Sequence, residues 1–392
     1  MNDEGKKSTL FLKLKKVVRY VSLYGLSRTL VKIKGSIHMK ASEDFGGGKW
    51  VNKDCKDHDF LGRSVAIIGC GNFAFSNIAF FCYKKNKKFL RATYDPQKNR
   101  SRSLCKAFNG AFAVENWHEI LADPNVRLVF IASNHASHAE YAIECIKAGK
   151  HVHIEKPHAV TLEQLDRLID AMSSYPGTKI FLGFNRPRSP LFKKLKAFID
   201  LERGPLMINW FVAGHAIPDE HWYYDNQEGG RVLGNLFHWT DLTLHLVSLD
   251  RAFPCNIIPT SMSEAKSEFV LTIVFADQSC AAITFSAKGE TFEGVREILN
   301  LQKGDLVATL KDFQSLHLDI ADKKHVFRAR HRDHGHQANI VHSLDGATEP
   351  SVAGEDILYV SATARLVMAA KEAVESGAIV KLSIDDIKNH II

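Results

Sequence analysis

At 392 residues, 45% hydrophobic and 24% charged, the chain is long enough for two compact domains and too apolar to be disordered. Its net charge of +7 argues against nucleic-acid binding once localised, because residues 1–40 hold ten Lys or Arg against Asp3 and Glu4, leaving −1 for all the rest. The 7 cysteines are scattered without a C-x-x-C pair, which excludes a zinc knuckle or disulfide framework and suits a reducing, cytoplasmic compartment.

The basic N-terminal stretch has helical periodicity, with Leu10, Leu14, Val17, Val18, Val21 and Tyr24 on one face and Lys13, Lys15, Lys16 and Arg19 on the other. Charges interrupt every apolar run, so it is neither a signal peptide nor a spanning helix. Two readings fit: an arm docking peripherally on the anionic inner membrane face or a partner, or an arm packed on its own body or a neighbouring subunit. Because every motif described below lies beyond Arg63, removal of residues 1–40 is expected to spare cofactor binding. Residues 1–60 are read as this extension plus a linker around Gly46-Gly47-Gly48.

From Ser64 strands and helices alternate. Strands are expected at Ser64–Gly69, Phe89–Tyr94, Leu128–Ala132, His151–Ile154 and Lys179–Gly183. Helices are expected from Phe73 and at Arg100–Phe108, His135–Lys147 and Leu162–Met172. Apolar strands alternating with amphipathic helices predict a Rossmann-type, doubly wound parallel sheet over residues 61–185. Beyond Arg186 hairpin grammar takes over, with strands at Leu206–Val212, Phe269–Phe275, Ala281–Ser286, Glu297–Gln302 and Leu306–Leu310, and a last helix Asp356–Ser376 closed by Gly377. Residues 186–392 are therefore read as an α+β domain with an open, mainly antiparallel sheet. The fold class is α/β followed by α+β.

Two motifs carry chemistry. Gly69-Cys70-Gly71-Asn72-Phe73-Ala74 is a G-x-G-x-x-A at a strand-to-helix junction. Gly69 makes the tight turn, Gly71 admits a pyrophosphate, Ala74 allows close packing, and the helix N-terminus faces the phosphates. Asp95, 24 residues after Gly71, ends the next strand and suits a ribose. Its charge favours NAD, while Lys98, Arg100 and Arg102 leave NADP open. The second motif, Glu155-Lys156-Pro157, follows the strand His151–Ile154, where strand ends face the ligand crevice.

Together with Ala122-Asp123-Pro124-Asn125-Val126 and Ala148-Gly149-Lys150-His151-Val152, these motifs resemble the glucose-fructose oxidoreductase / inositol dehydrogenase / MocA (Gfo/Idh/MocA) family from about Arg63 to Leu382. The segments Gly183–Arg186, Gly214–Trp222 and Gly229–Gly234 are similar to a branch associated with polysaccharide and nucleotide-sugar metabolism. The resemblance implies a homodimer or homotetramer built through the C-terminal sheet. It also implies that Lys156 and His238 are catalytic, that Ser133, Asn134, His138 and Glu155 join the glycine loop, Asp95 and Arg100 around the dinucleotide, and that Arg186, Trp222, Asn235 and His238 meet a sugar. A histidine of ordinary pKa ~6.5 suits removal of a hydroxyl proton, with a pH-rate limb near neutrality, while lysine holds the oxygen. Asp241, three residues on in a helix, is expected to orient the imidazole. A metal site from His238, Asp241 and His245 is the weaker reading, so no metal is expected. Arg186, Arg188, Lys193 and Lys194 suit a diphosphate, and His331, His334 and His336 a solvated loop entering a helix. Many family members carry an aspartate where this chain has Gly234. The functional expectation is NAD(P)-dependent hydride transfer at a secondary alcohol or ketone of a nucleotide-activated sugar in polysaccharide biosynthesis. A catalytically inactive dinucleotide-binding sensor or scaffold is the alternative.

Overall fold

The computed structural model describes residues 3–40, 48–52, 62–218, 220–260, 268–287 and 292–391, with side chains from residue 12 onward. Most of the expected linker, including Gly46 and Gly47, lies outside the described residues.

Two sheets organise the chain. The first contains β1 (Trp50–Val51), β2 (Val65–Ile68), β3 (Leu90–Tyr94), β4 (Phe112–Ala113), β5 (Leu128–Ile131), β6 (His151–Ile154) and β7 (Ile180–Leu182), in the order β1-β4-β3-β2-β5-β6-β7. All its pairings are parallel except the edge pair β1–β4. The strands read as unbroken apolar runs because both faces are covered: Ala66 and Ile68 enter one core cluster, Val65 and Ile67 another. Strand order reverses at β2, between β3 and β5, which places the crevice for a ligand at the carboxyl end of β2.

The second sheet contains β8 (Met207–Ala213), β9 (Cys255–Pro259), β10 (Phe269–Val274), β11 (Cys280–Ser286), β12 (Arg296–Lys303), β13 (Leu306–Lys311), β14 (Ser315–Ile320), β15 (Lys323–Arg328) and β16 (Val380–Leu382). Only β8–β11 is parallel; the others pair antiparallel, in the order β15-β14-β13-β12-β8-β11-β10-β9-β16. Alternation is plain in β8, where Ile208, Trp210 and Val212 are buried while Met207 and Phe211 face outward. The expected C-terminal helix spans Ile357–Ser376, with the Asp356 side chain accepting from Leu358 N and Gly377 closing it at φ 68°, but it is not the last, since a short helix Ile384–Lys388 follows.

Helix His336–Gly346, though late in sequence, returns to the first sheet. Ile340 joins the cluster of Phe130 and Phe181, Ser343 Oγ lies 2.8 Å from His153 Nδ1, and Gly346 makes room for the Phe181 ring.

The basic arm also packs on the body. It forms helices α1 (Asp3–Tyr24) and α2 (Leu26–His38), separated by Gly25 at φ 83°. Val31 of α2 is buried in the same cluster as Phe75, and the Arg28 guanidinium donates to Ser76 O and Asn77 Oδ1. The predicted stripe on α1 is not the docking face, since Leu14 and Val18 are exposed. Contact comes instead from α2 and the end of α1, because Gly25 redirects the chain before it reaches the body.

Candidate active site at the carboxyl ends of the first sheet

The glycine loop is built for close approach. Gly69 has φ 87°, and a Cβ there would lie 2.4 Å from Ser133 N, so the loop after β2 packs directly on the loop after β5. A Cβ on Gly71 would meet nothing within 4 Å, which leaves that backbone open to a ligand. The chain enters its helix with Phe75 N bonded to Gly71 O and continues through a wide π turn, Ala74–Ala79. Asp95 accepts from Cys70 N at 2.7 Å and Gln97 N at 2.8 Å, which fixes its carboxylate beside the loop with lone pairs remaining.

A cavity of about 670 Å³ lies over this loop, lined by Gly69, Gly71, Asn72, Phe73, Asp95 and Arg100 on one side and by Ser133, Asn134, His138, Glu155, Lys156, Trp222, Tyr223 and His238 on the other. Its size, the open backbone at Gly71 and the carboxylate at Asp95 fit a dinucleotide. Of the basic residues after Asp95, Lys98 is paired with Glu115 at 2.7 Å and buried Arg102 donates to Gly48 O, so Arg100 alone faces the cavity.

Lys156 and His238 meet at this cavity. The Lys156 ammonium donates to Gly234 O at 2.7 Å. His238 stands at the start of helix Phe237–Val247, and burial, followed by the charges of Arg186 and Lys156, pushes its pKa well below the usual histidine value. It is a neutral imidazole, able to accept a proton. The glycine that replaces the family aspartate has a packing reason: a Cβ at Gly234 would come within 2.9 Å of the Tyr223 ring and 3.2 Å of His135.

Several expected residues also make contacts that hold the protein around the cavity. His138 lies between two carbonyls, 2.8 Å from Pro157 O and 3.1 Å from Ser133 O; a neutral imidazole donates to one of them, which ties it to the Glu155-Lys156-Pro157 turn or to the turn after β5. Asn134 donates to Glu228 Oε1 at 2.6 Å, and Ala136 N donates to Glu228 Oε2 at 3.1 Å. Ala74 is fully buried, as a packing residue would be. Asn235 lines neither this cavity nor the one beside it, and its Oδ1 is buried without a partner among the described residues.

Two expectations need correction. Asp241 does not orient His238: its Oδ1 accepts from the Tyr359 hydroxyl and lies 3.6 Å from His245 Nε2. Burial pushes Asp241 well above the carboxylate range. It and His238 lie on the same helix but serve different neighbours. The set Arg186, Arg188, Lys193 and Lys194 is also dispersed. Arg186 is bidentate to buried Glu297, Arg188 and Lys193 line a separate cavity with Tyr359, and Lys194 lies 4.1 Å over the Phe327 ring.

Glu297 was not signalled by the sequence. Burial alone would raise its pKa, yet Arg186 and then His334 bring it down to about 2. Trp239 Nε1 and His334 Nε2 also bond to it, at 2.9 and 3.1 Å. His334 and His336 thus belong to a partly buried wall next to His238 rather than to a solvated loop. The arm contributes too: His38 Nε2 lies 2.7 Å from Cys70 O in the glycine loop, its Nδ1 2.9 Å from Ser103 Oγ, and Met39 lines the cavity. A histidine ending an amphipathic helix carries no local mark of such a long-range contact.

A doubly wound sheet with a glycine loop at its switch point, followed by a second half whose helix Phe237–Val247 supplies a histidine and which carries an open sheet, defines a two-domain dinucleotide-binding protein. Residues 63–183 match the family model described as the oxidoreductase family with an NAD-binding Rossmann fold. Myo-inositol 2-dehydrogenase of Thermotoga maritima is 36% identical over 111 residues, 28% of this chain and 33% of that protein. Inositol 2-dehydrogenase of Azotobacter vinelandii is 28% identical over 149 residues, 37% of this chain and 44% of its own. The chain thus spans about a third to a half of the length of these curated relatives. Among solved structures, levoglucosan dehydrogenase in complex with NADH and L-sorbose superposes with a TM-score of 0.70 at 16% identity, covering 83% of this chain and 100% of that one. An oxidoreductase domain protein from Kribbella flavida gives 0.68 at 15%, covering 81% and 98%. These two structures share the fold across both sheets.

Proposed function

We propose that this protein is an NAD-dependent dehydrogenase that oxidises a secondary alcohol of a sugar, or reduces the matching ketone, and that its substrate is a nucleotide-activated sugar used in polysaccharide biosynthesis. The observation that carries the reading is that Lys156 and a neutral His238 line the same cavity as the glycine loop. His238 accepts the hydroxyl proton at a ring nitrogen. Lys156, held by Gly234 O, donates to the substrate oxygen and stabilises its developing negative charge. NAD, when bound, supplies the hydride acceptor. Trp222, with its ring 4.7 Å from His135, lines one wall of the cavity. Fixed Asp95 and the pairing of Lys98 and Arg102 with neighbours favour NAD over NADP. Exposed Met207, Phe211 and Val307 on the open face of the second sheet suit a homo-oligomer. No helix of the described residues is long and apolar enough to cross a membrane; the exposed Leu14, Val18, Ile33 and Ile37 of the arm suit peripheral contact with the inner membrane face of a cytoplasmic enzyme.

The test is turnover. Purified protein with NAD and a panel of inositols, free sugars and nucleotide sugars should show a change in nicotinamide absorbance with at least one of them. Tight NADH binding without turnover of any panel member would favour the sensor or scaffold reading.

A further inference from the structure

A second cavity of about 580 Å³ opens beside the cofactor cavity, and Phe73 and His238 line both. The body supplies one wall, with Arg186, His334 and His336; the N-terminal arm supplies the other, with Tyr20, Tyr24, Arg28 and Lys32. The lining is strongly cationic. Arg28, Lys32, Lys84, Arg186 and Arg332 face it, against a single carboxylate, Asp333.

These charges are not equally compensated. Arg186 is matched by Glu297, and Arg332 lies 3.4 Å from both Glu293 and Asp312. Among the described residues Arg28 donates to the neutral acceptors Ser76 O and Asn77 Oδ1, and its guanidinium lies 4.7 Å over the Phe81 ring. The Lys32 ammonium, one turn further along the same face of α2, has no ion-pair partner among the described residues. Burial lowers the pKa of both groups, and Arg28 lowers that of Lys32 further. Two half-buried cations with only Asp333 as a nearby counter-charge are unfavourable unless something negative completes them. Arg28 is nevertheless held rigidly in this position by the arm's docking on the body.

We propose that this cavity binds an anionic substituent of the substrate, a phosphate or a carboxylate, with Arg28 and Lys32 of the N-terminal arm as its ligands and the reacting carbon placed at His238. The inference rests on the dehydrogenase reading above for the word substrate, and on the cavity alone for the anion. It moves anion recognition from Arg188, Lys193 and Lys194, which face elsewhere, to a segment outside the region that matches the family model. Tyr20 and Tyr24, with ring centroids 4.5 Å apart, give the same wall an aromatic surface.

The experiment uses the full chain saturated with NADH, so that the dinucleotide cavity is filled, and titrates inorganic pyrophosphate and, separately, glucuronate by calorimetry. At least one probe should bind, more weakly as salt rises. Lys32→Gln and Arg28→Gln should each weaken it by about tenfold or more, as expected for loss of a charge-assisted hydrogen bond. Lys34→Gln, on the exposed side of α2, should change nothing. Lys32 makes no bond that holds the arm, so Lys32→Gln remains informative if Arg28→Gln unfolds the arm. Binding of pyrophosphate alone identifies a phosphate site and binding of glucuronate alone a carboxylate site. Failure of both probes, or affinity indifferent to both substitutions, overturns the proposal even if sugars are turned over. Probe binding lost in both variants, in a protein that turns over no sugar, supports the site and removes only the dehydrogenase reading.

Discussion

Lys156 and His238 lie 82 positions apart in sequence, and the resemblance paired them before any geometry was known. What local sequence could not supply is the environment of the imidazole. Burial together with Arg186 and Lys156 keeps His238 neutral well below the usual histidine value, so the acid limb of the pH-rate profile should lie below ~6.5 rather than near neutrality. A limb at the ordinary histidine position that survives His238→Ala would exclude it as the base. Lys156→Ala should cut turnover by roughly a hundredfold or more while fluorescence titration with NADH stays within about twofold. Gly234→Asp should lower both turnover and melting temperature, because the added Cβ meets Tyr223 at 2.9 Å. Asp95→Asn should narrow the preference for NAD over NADP by roughly tenfold, about 1.4 kcal/mol, measured as the ratio of two dissociation constants. Asp241 is where spacing misled. Three residues along a helix gives a shared side, but Tyr359 on a distant helix claims the carboxylate, and no local pattern encodes that neighbour.

At the scale of elements, the parallel strands were legible because burial on both faces leaves an unbroken apolar run. His151–Ile154 was placed without error, and the helix Ile357–Ser376 carried both its caps in sequence. The strands β1, β4, β9, β14, β15 and β16 were missed. Ser315–Ile320 and Lys323–Arg328 mix polar and apolar residues at or beside a sheet edge, where one face meets solvent, and their pattern is diluted accordingly. The arm was legible as helical and basic but not as part of the site. Its contact with the glycine loop leads us to expect, against the sequence reading, that residues 1–40 contribute to cofactor binding. His38→Ala removes two contacts, each worth about 0.5–1.5 kcal/mol, one of them to the glycine loop. NADH affinity should fall and melting temperature should drop by a few degrees, whereas an unchanged dissociation constant would show that the loop keeps its shape unaided.

For the whole molecule, the prominent electrostatic feature is a set of neutral buried histidines. Burial lowers His135 to about 2 and His158 to about 4, and pushes His238 and His336 well below the usual value. Unfolded, each would titrate near ~6.5, so below that pH the unfolded chain binds more protons than the folded one. Stability should therefore fall as pH drops from ~6.5 toward about 4, by roughly 1.4 kcal/mol per pH unit for each proton withheld. Glu297, held down to about 2, adds a further loss below the ordinary carboxylate range as its pair with Arg186 is protonated away. Melting temperature followed against pH would check this: a curve flat from neutrality to pH ~4.5 is the contrary result.

The return of helix His336–Gly346 to the first sheet means that a cut at residue 186 does not separate two self-sufficient pieces. A fragment of residues 1–185 would lack the cover over Phe181 and the Ser343 partner of His153, and Asn185 would lose the His334 carbonyl to which it donates. Such a fragment should be poorly soluble alone and should recover NADH binding when co-expressed with residues 186–392. The molecule is interlaced: a helix from the second half completes the packing of the first sheet, so split halves should complement one another rather than function as independent modules.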